Sequence, residues 1–290
     1  MRMKMKKIKK LLAASVLFAV SYMNFAFDWP QNEIMSDSFF SYFAQLRGGR
    51  ISPSLVFSNT EAVKAADNGR ILALITEHPE GDLFESTLGN AVIISHEDDM
   101  LSVYGNLDDV SELHSRYEVS AGDHLGESSL SGWQEGDSCL EFQVIDLKSK
   151  CFINPRVLMP RIGNELEIVL HNVSAVNKAG ISYALSSVQT LNAGSYLIYN
   201  ERQDVAVPYK TSIFINGVTV ENIFYDSLYD VDGKLNLKGR DMHSLSSVYP
   251  DDKRSLLGEV VIPRGHNELT VVASDILGKE YQATYVFEAR

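Results

Sequence analysis

Short apolar runs that alternate with polar residues, broken by Gly-, Asn- and Asp-rich turns, recur from residue 55 to the end of this 290-residue chain. The stretch Gly89–Leu107 (GNAVIISHEDDMLSVYGNL) is the clearest case. The run Ala91–Ile94 leads into an acidic turn and a second β-prone run, Met100–Tyr104, follows, which predicts a β-hairpin. Before it, Ala62–Gly69 and Arg70–Thr76 predict two strands about a turn at Asp67-Asn68-Gly69, then a loop over Gly81–Thr87. After it come a polar linker (Ser111–Val119), a turn and short strand (Val119–Gly126), a loop (Gly132–Asp137) and an alternating strand, Cys139–Ile145. Many short strands with little helix between them imply an all-β unit over residues 51–160.

The same pattern continues over residues 161–290. Strands are expected at Glu165–Leu170, Ile181–Val188, Ser195–Tyr199, Thr211–Ile215, Val218–Ile223, Leu256–Ile262, Glu268–Ser274 and Tyr281–Glu288, with a tight turn at Asn216-Gly217. Strands at this spacing without intervening helices predict an immunoglobulin-like β-sandwich, although no Cys-Trp-Cys pattern accompanies them. Residues 27–50 form a lead-in. Phe39, Phe40, Tyr42 and Phe43 within it predict a short helix or an irregular segment packed on the following unit.

The first 26 residues differ from the rest. Arg2, Lys4, Lys6, Lys7, Lys9 and Lys10 precede an apolar segment, Leu11–Val20, and a small residue, Ala26. That order predicts a secretory signal at 1–26, and so an exported protein of the periplasm or cell envelope. The apolar segment is short for a membrane span. The whole chain carries a formal charge of −12, and loss of six cations with the signal would leave −18. Such acidity disfavours nucleic acid as a partner. In an exported protein the two cysteines, Cys139 and Cys151, invite a disulfide. If they lie on the two arms of one hairpin, however, Cys151 should face a residue near Val144, roughly 15 Å from Cys139, too far to bridge.

Five elements, in order over residues 51–160, resemble the LytM/lysostaphin-type zinc endopeptidases of peptidoglycan. They are the Ala65-Ala66-Asp67-Asn68-Gly69 turn, the Gly89-Asn90 hairpin ending in Tyr104-Gly105-Asn106-Leu107, and Val119-Ser120-Ala121-Gly122-Asp123-His124-Leu125-Gly126. The strand Cys139-Leu140-Glu141-Phe142-Gln143 and the trailing Asn154-Pro155 complete the set. The resemblance implies a lysostaphin-like (duplicated-hybrid-motif type) β-sheet domain. It also implies a zinc site of three ligands with two catalytic histidines. The ligand positions correspond to Ser52, Val56 and Glu141, and the catalytic positions to Asn106 and Cys139, so all five depart from the family's residues.

A tetrahedral zinc that activates water needs three protein ligands. Cys139 and Glu141 alternate on one strand face and both residue types bind zinc, yet a third ligand would have to come from His96, Asp98 or Asp99. His78 and Asp82 have a ligand-like spacing but follow the turn that the family's ligands precede. His96 corresponds to a non-ligand position, while His114 and His124 sit in polar loops. Asp226, Asp230 and Asp232 offer oxygens that suit calcium, but the spacing misses the EF-hand loop and reads better as a polar hairpin.

These readings predict no cofactor, with zinc expected only for an active enzyme. The resemblance implies an inactive relative that binds peptidoglycan or partners a cell-wall hydrolase. The groove candidates are Ser52, Val56, Tyr104, Asn106, Cys139 and Glu141. The alternatives are a divergent, active zinc metalloendopeptidase of peptidoglycan and an envelope structural or adhesive protein.

Overall fold

A computed structural model describes residues 27–76, 86–132, 139–203 and 206–290. The expected signal at 1–26, the His78–Asp82 segment and most of the loop at 132–137 lie outside the described residues. The first half forms β1 (Phe39–Ser41), β2 (Leu46–Arg47), β3 (Arg50–Ile51), β4 (Leu55–Phe57), β5 (Ala62–Lys64), β6 (Gly69–Ile75), β7 (Asn90–Ser95), β8 (Met100–Leu107), β9 (Glu118–Val119), β10 (His124–Glu127), β11 (Glu141–Asp146) and β12 (Cys151–Ile153). The second half adds β13 (Ser174–Asn177), β14 (Ser182–Ala184), β15 (Thr190–Leu191), β16 (Gly194–Glu201), β17 (Lys210–Ile215), β18 (Val218–Val231), β19 (Lys234–Lys238), β20 (Met242–Ser244), β21 (Arg254–Ile262), β22 (Gly265–Ser274) and β23 (Glu280–Ala289).

The lead-in holds no helix. Its aromatic residues instead flank the short strand β1, which pairs with β4, and Phe39 packs on Phe57. The expected strand at Glu165–Leu170 is also absent, because its backbone is carried by side chains: Gln203 accepts from the Val169 N–H and Asn200 from the His171 N–H. The supposed calcium loop is a hairpin. Asp226 and Asp230 lie in β18, and the turn is Asp232-Gly233, both residues with positive φ. Asp230 spends its Oδ1 on the Gly233 N–H, so the three acids do not converge.

Phe57, Val92, Ile94, Tyr104, Leu107, Phe142 and Val144 interlock in the core of the first unit. In the second, β14-β13-β16-β21 faces the order β15-β23-β22-β17-β18 across a core that includes Ala175, Ile198, Val260, Ile213, Leu269 and Val271. That arrangement is a two-sheet β-sandwich. The two units share one sheet. Cys151, Phe152 and Ile153 of β12 pair with Tyr229, Leu228 and Ser227 of β18, so hydrogen bonding runs unbroken from β9 to β15. A third core sits at this joint, where Phe43 and Ala44 of the lead-in and Ile51 at the start of the first unit pack with Tyr199, Ile223, Tyr225, Leu228 and Leu237. The Tyr249 hydroxyl donates to the Ala44 carbonyl across it, at 2.8 Å.

Within the β11–β12 hairpin Cys151 faces Asp146, two residues beyond the position expected for its partner. The reason is that the β-ladder closes directly on the turn Leu147–Lys150. Cys139 lies seven residues from that partner, roughly 23 Å along an extended strand. Neither cysteine is in a disulfide, and both are buried.

Candidate functional site

The positions singled out by sequence meet where β4, β8 and β11 run side by side. Glu141 lies opposite Val56 on one flank and opposite Gly105 on the other. Because side chains alternate along a strand, Leu140 and Phe142 enter the core, while Cys139, Glu141 and Gln143 share the other face.

Glu141 is almost fully enclosed, and its carboxylate is held at both oxygens. Ser54 donates its hydroxyl to Oε1 at 2.6 Å, and Gln143 Nε2 reaches the same oxygen at 3.2 Å and Ser54 Oγ at 3.0 Å. Oε2 receives the Arg47 guanidinium at 3.0 Å, with side-chain exposures of 17% for Arg47 and 13% for Glu141. Arg47 comes from the β2–β3 hairpin. Its two turn residues, Gly48 and Gly49, both have positive φ, the turn geometry that matches strand twist and that glycine adopts without penalty. Leu46 and Ile51 tie the hairpin into the joint core, which fixes where the guanidinium lies.

Ser52 and Val56 complete this cluster without adding a ligand. Ser52 is buried and its Oγ accepts from the Ser54 N–H, while Val56 is fully enclosed between Ser41 and Glu141. Asn106 sits beside Cys139. Its Nδ2 donates to the Cys139 carbonyl at 2.8 Å, its φ is +61°, and its buried Oδ1 has no hydrogen-bond partner among the described residues. The Cys139 thiol approaches the Ser58 carbonyl and Thr60 Oγ1, each at 3.5 Å.

Tyr104 belongs elsewhere. It faces the core, packs on Phe142 with ring centroids 5.0 Å apart, and accepts from the Ala66 N–H and the Ser102 hydroxyl. Burial pushes its pKa up to about 12. The expectation that it lines a groove is corrected by strand alternation: it points to the opposite face from Glu141. His96 is structural, with Nδ1 at Asn68 O and Nε2 at Ser102 Oγ. His114 and His124 are exposed.

The third ligand that a rebuilt metal site would need is out of reach. His96, Asp98 and Asp99 sit at the β7–β8 turn, alongside Leu147, whereas Glu141 faces Gly105, six residues past Asp99. At the rise of an extended strand that separation is roughly 20 Å. Among the described residues no three His, Cys, Asp or Glu side chains gather for a metal. The side chains at the ligand positions therefore do not fit zinc: one is a hydroxyl, one is aliphatic, and the one carboxylate is occupied by Arg47, Ser54 and Gln143. What this cluster does chemically is fix a carboxylate and a guanidinium in one orientation.

Sequence reasoning missed Arg47, Ser54 and Gln143. Gln143 was legible as the next residue on the Glu141 face, and Ser54 as a neighbour of Ser52. Nothing local marks Arg47, which lies 94 residues from its partner. Truncating it should expose its importance. Arg47→Met is expected to lower stability by about 1–3 kcal/mol, because it strands a mostly buried carboxylate. The double variant Arg47→Met/Glu141→Gln should recover part of that loss, as read from urea unfolding midpoints.

Comparisons with known proteins follow the same division of the chain. The family model described as peptidase family M23 matches residues 54–155, and a second family model matches residues 167–290. An uncharacterized protein of Treponema pallidum is 30% identical over 124 residues, covering 39% of this chain and 82% of that one. A zinc-containing peptidase from Vibrio cholerae is similar over 41% of this chain and 36% of its own, at 18% identity and a TM-score of 0.32. The SpoIIIAH–SpoIIQ complex structure is similar over 44% of this chain and 96% of that chain, at 17% identity and a TM-score of 0.34. Residues 54–155, which carry the Gly89–Leu107 hairpin and the Glu141 strand, are a peptidase family M23 domain of the LytM type.

Proposed function

We propose that this chain is an exported, catalytically inactive M23-type protein that acts in cell-wall binding or as a regulator or partner of cell-wall hydrolases. The observation that carries the reading is the Arg47–Glu141 ion pair. At the place where the family's resemblance sets a metal ligand, a guanidinium supplies the positive charge from within the chain. A permanent cation neutralises the carboxylate without activating water, so the scaffold is retained and the hydrolytic chemistry is lost. Of the five positions that the resemblance assigns to the site, only Glu141 reaches the surface, and with Arg47 and Gln143 it offers the recognition surface, while Ser52, Ser54, Val56, Asn106 and Cys139 lie buried beneath it.

A metal assay coupled to digestion of purified wall tests the reading. The purified chain is expected to hold no stoichiometric zinc and to release no wall fragments, while co-sedimenting with wall or capturing a wall hydrolase from envelope extracts. One zinc per chain, lost in Glu141→Ala together with wall-digesting activity, would establish instead a divergent zinc metalloendopeptidase. A chain that neither digests wall nor engages wall or hydrolase would be an envelope spacer.

A further inference from the structure

We draw no further inference here: the strongest candidate, the buried Glu221–His243 pair beneath the β19–β20 turn, carries nothing further, because its facing Oε2 and Nε2 atoms, 3.7 Å apart and without a hydrogen-bond partner among the described residues, supply only two of the protein ligands that a metal would need, and among the described residues no third gathers there.

Discussion

Gly89→Ala is expected to be among the most damaging single substitutions in the M23 unit, costing more than about 3 kcal/mol. Gly89 has a φ of +60°, and a Cβ there would lie 2.3 Å from both Gly132 N and Ser131 C. Backbone atoms cannot yield as a flexible side chain does. The contact also closes the hairpin, because Ser131 Oγ accepts from the Asn90 N–H and donates to the Leu107 carbonyl, clasping both ends of Gly89–Leu107. On the far side, a Cβ on Gly132 would come within 2.1 Å of Asn106 Oδ1. Displacing Gly89 therefore pushes, through Gly132, on Asn106. The measurement is the urea midpoint of Gly89→Ala against the parent chain, read with the slope of the transition. A loss under about 1 kcal/mol would mean that the Ser131–Gly132 clasp is not as tight as these distances require.

The second large effect is expected at the joint. Leu228→Ala empties a fully buried position in the core shared by the lead-in and both units, and should cost about 2–5 kcal/mol. Its more informative consequence concerns cooperativity. Leu228 also pairs with Phe152, in the one ladder that joins the β12 and β18 halves of the sheet. The parent chain is expected to unfold in a single thermal transition, and Leu228→Ala should move that whole transition downward. Fluorescence of the two tryptophans and far-ultraviolet circular dichroism should follow the same curve. Trp29 donates its indole N–H to the Pro160 carbonyl, between the lead-in and the end of the M23 unit, and so reports on the packing there. Two separated transitions, only one of them shifted, would show that the continuous sheet does not couple the units.

Much of the β-structure was legible in the sequence because its causes are local. Alternation of apolar and polar residues marks a half-buried strand, and residues such as Asn216-Gly217 mark a tight turn, since few others accept positive φ at both positions. The hairpin from Gly89 to Leu107 and the strands near Thr211, Leu256, Glu268 and Tyr281 follow from that rule, with ends displaced by a few residues. The residues at the five positions that the resemblance assigns to the site, Ser52, Val56, Asn106, Cys139 and Glu141, could likewise be read directly. Where local pattern misled, non-local partners had taken over. Glu165–Leu170 alternates like a strand but is carried by the side chains of Asn200 and Gln203, and the aromatic lead-in is drawn out to pair with β4. Tyr104 stands only two residues before Asn106, yet it enters the core and packs on Phe142.

By itself, then, the sequence determined an all-β chain and the M23-type scaffold. Those properties depend on residue identity and near-neighbour spacing. Only the tertiary structure decided that Arg47 would answer Glu141, that β12 would join β18, and that Lys210 and Lys238 would flank Phe224. Each of these is a contact between segments far apart in sequence, chosen by the register of whole strands and by the packing of a shared core rather than by any local preference.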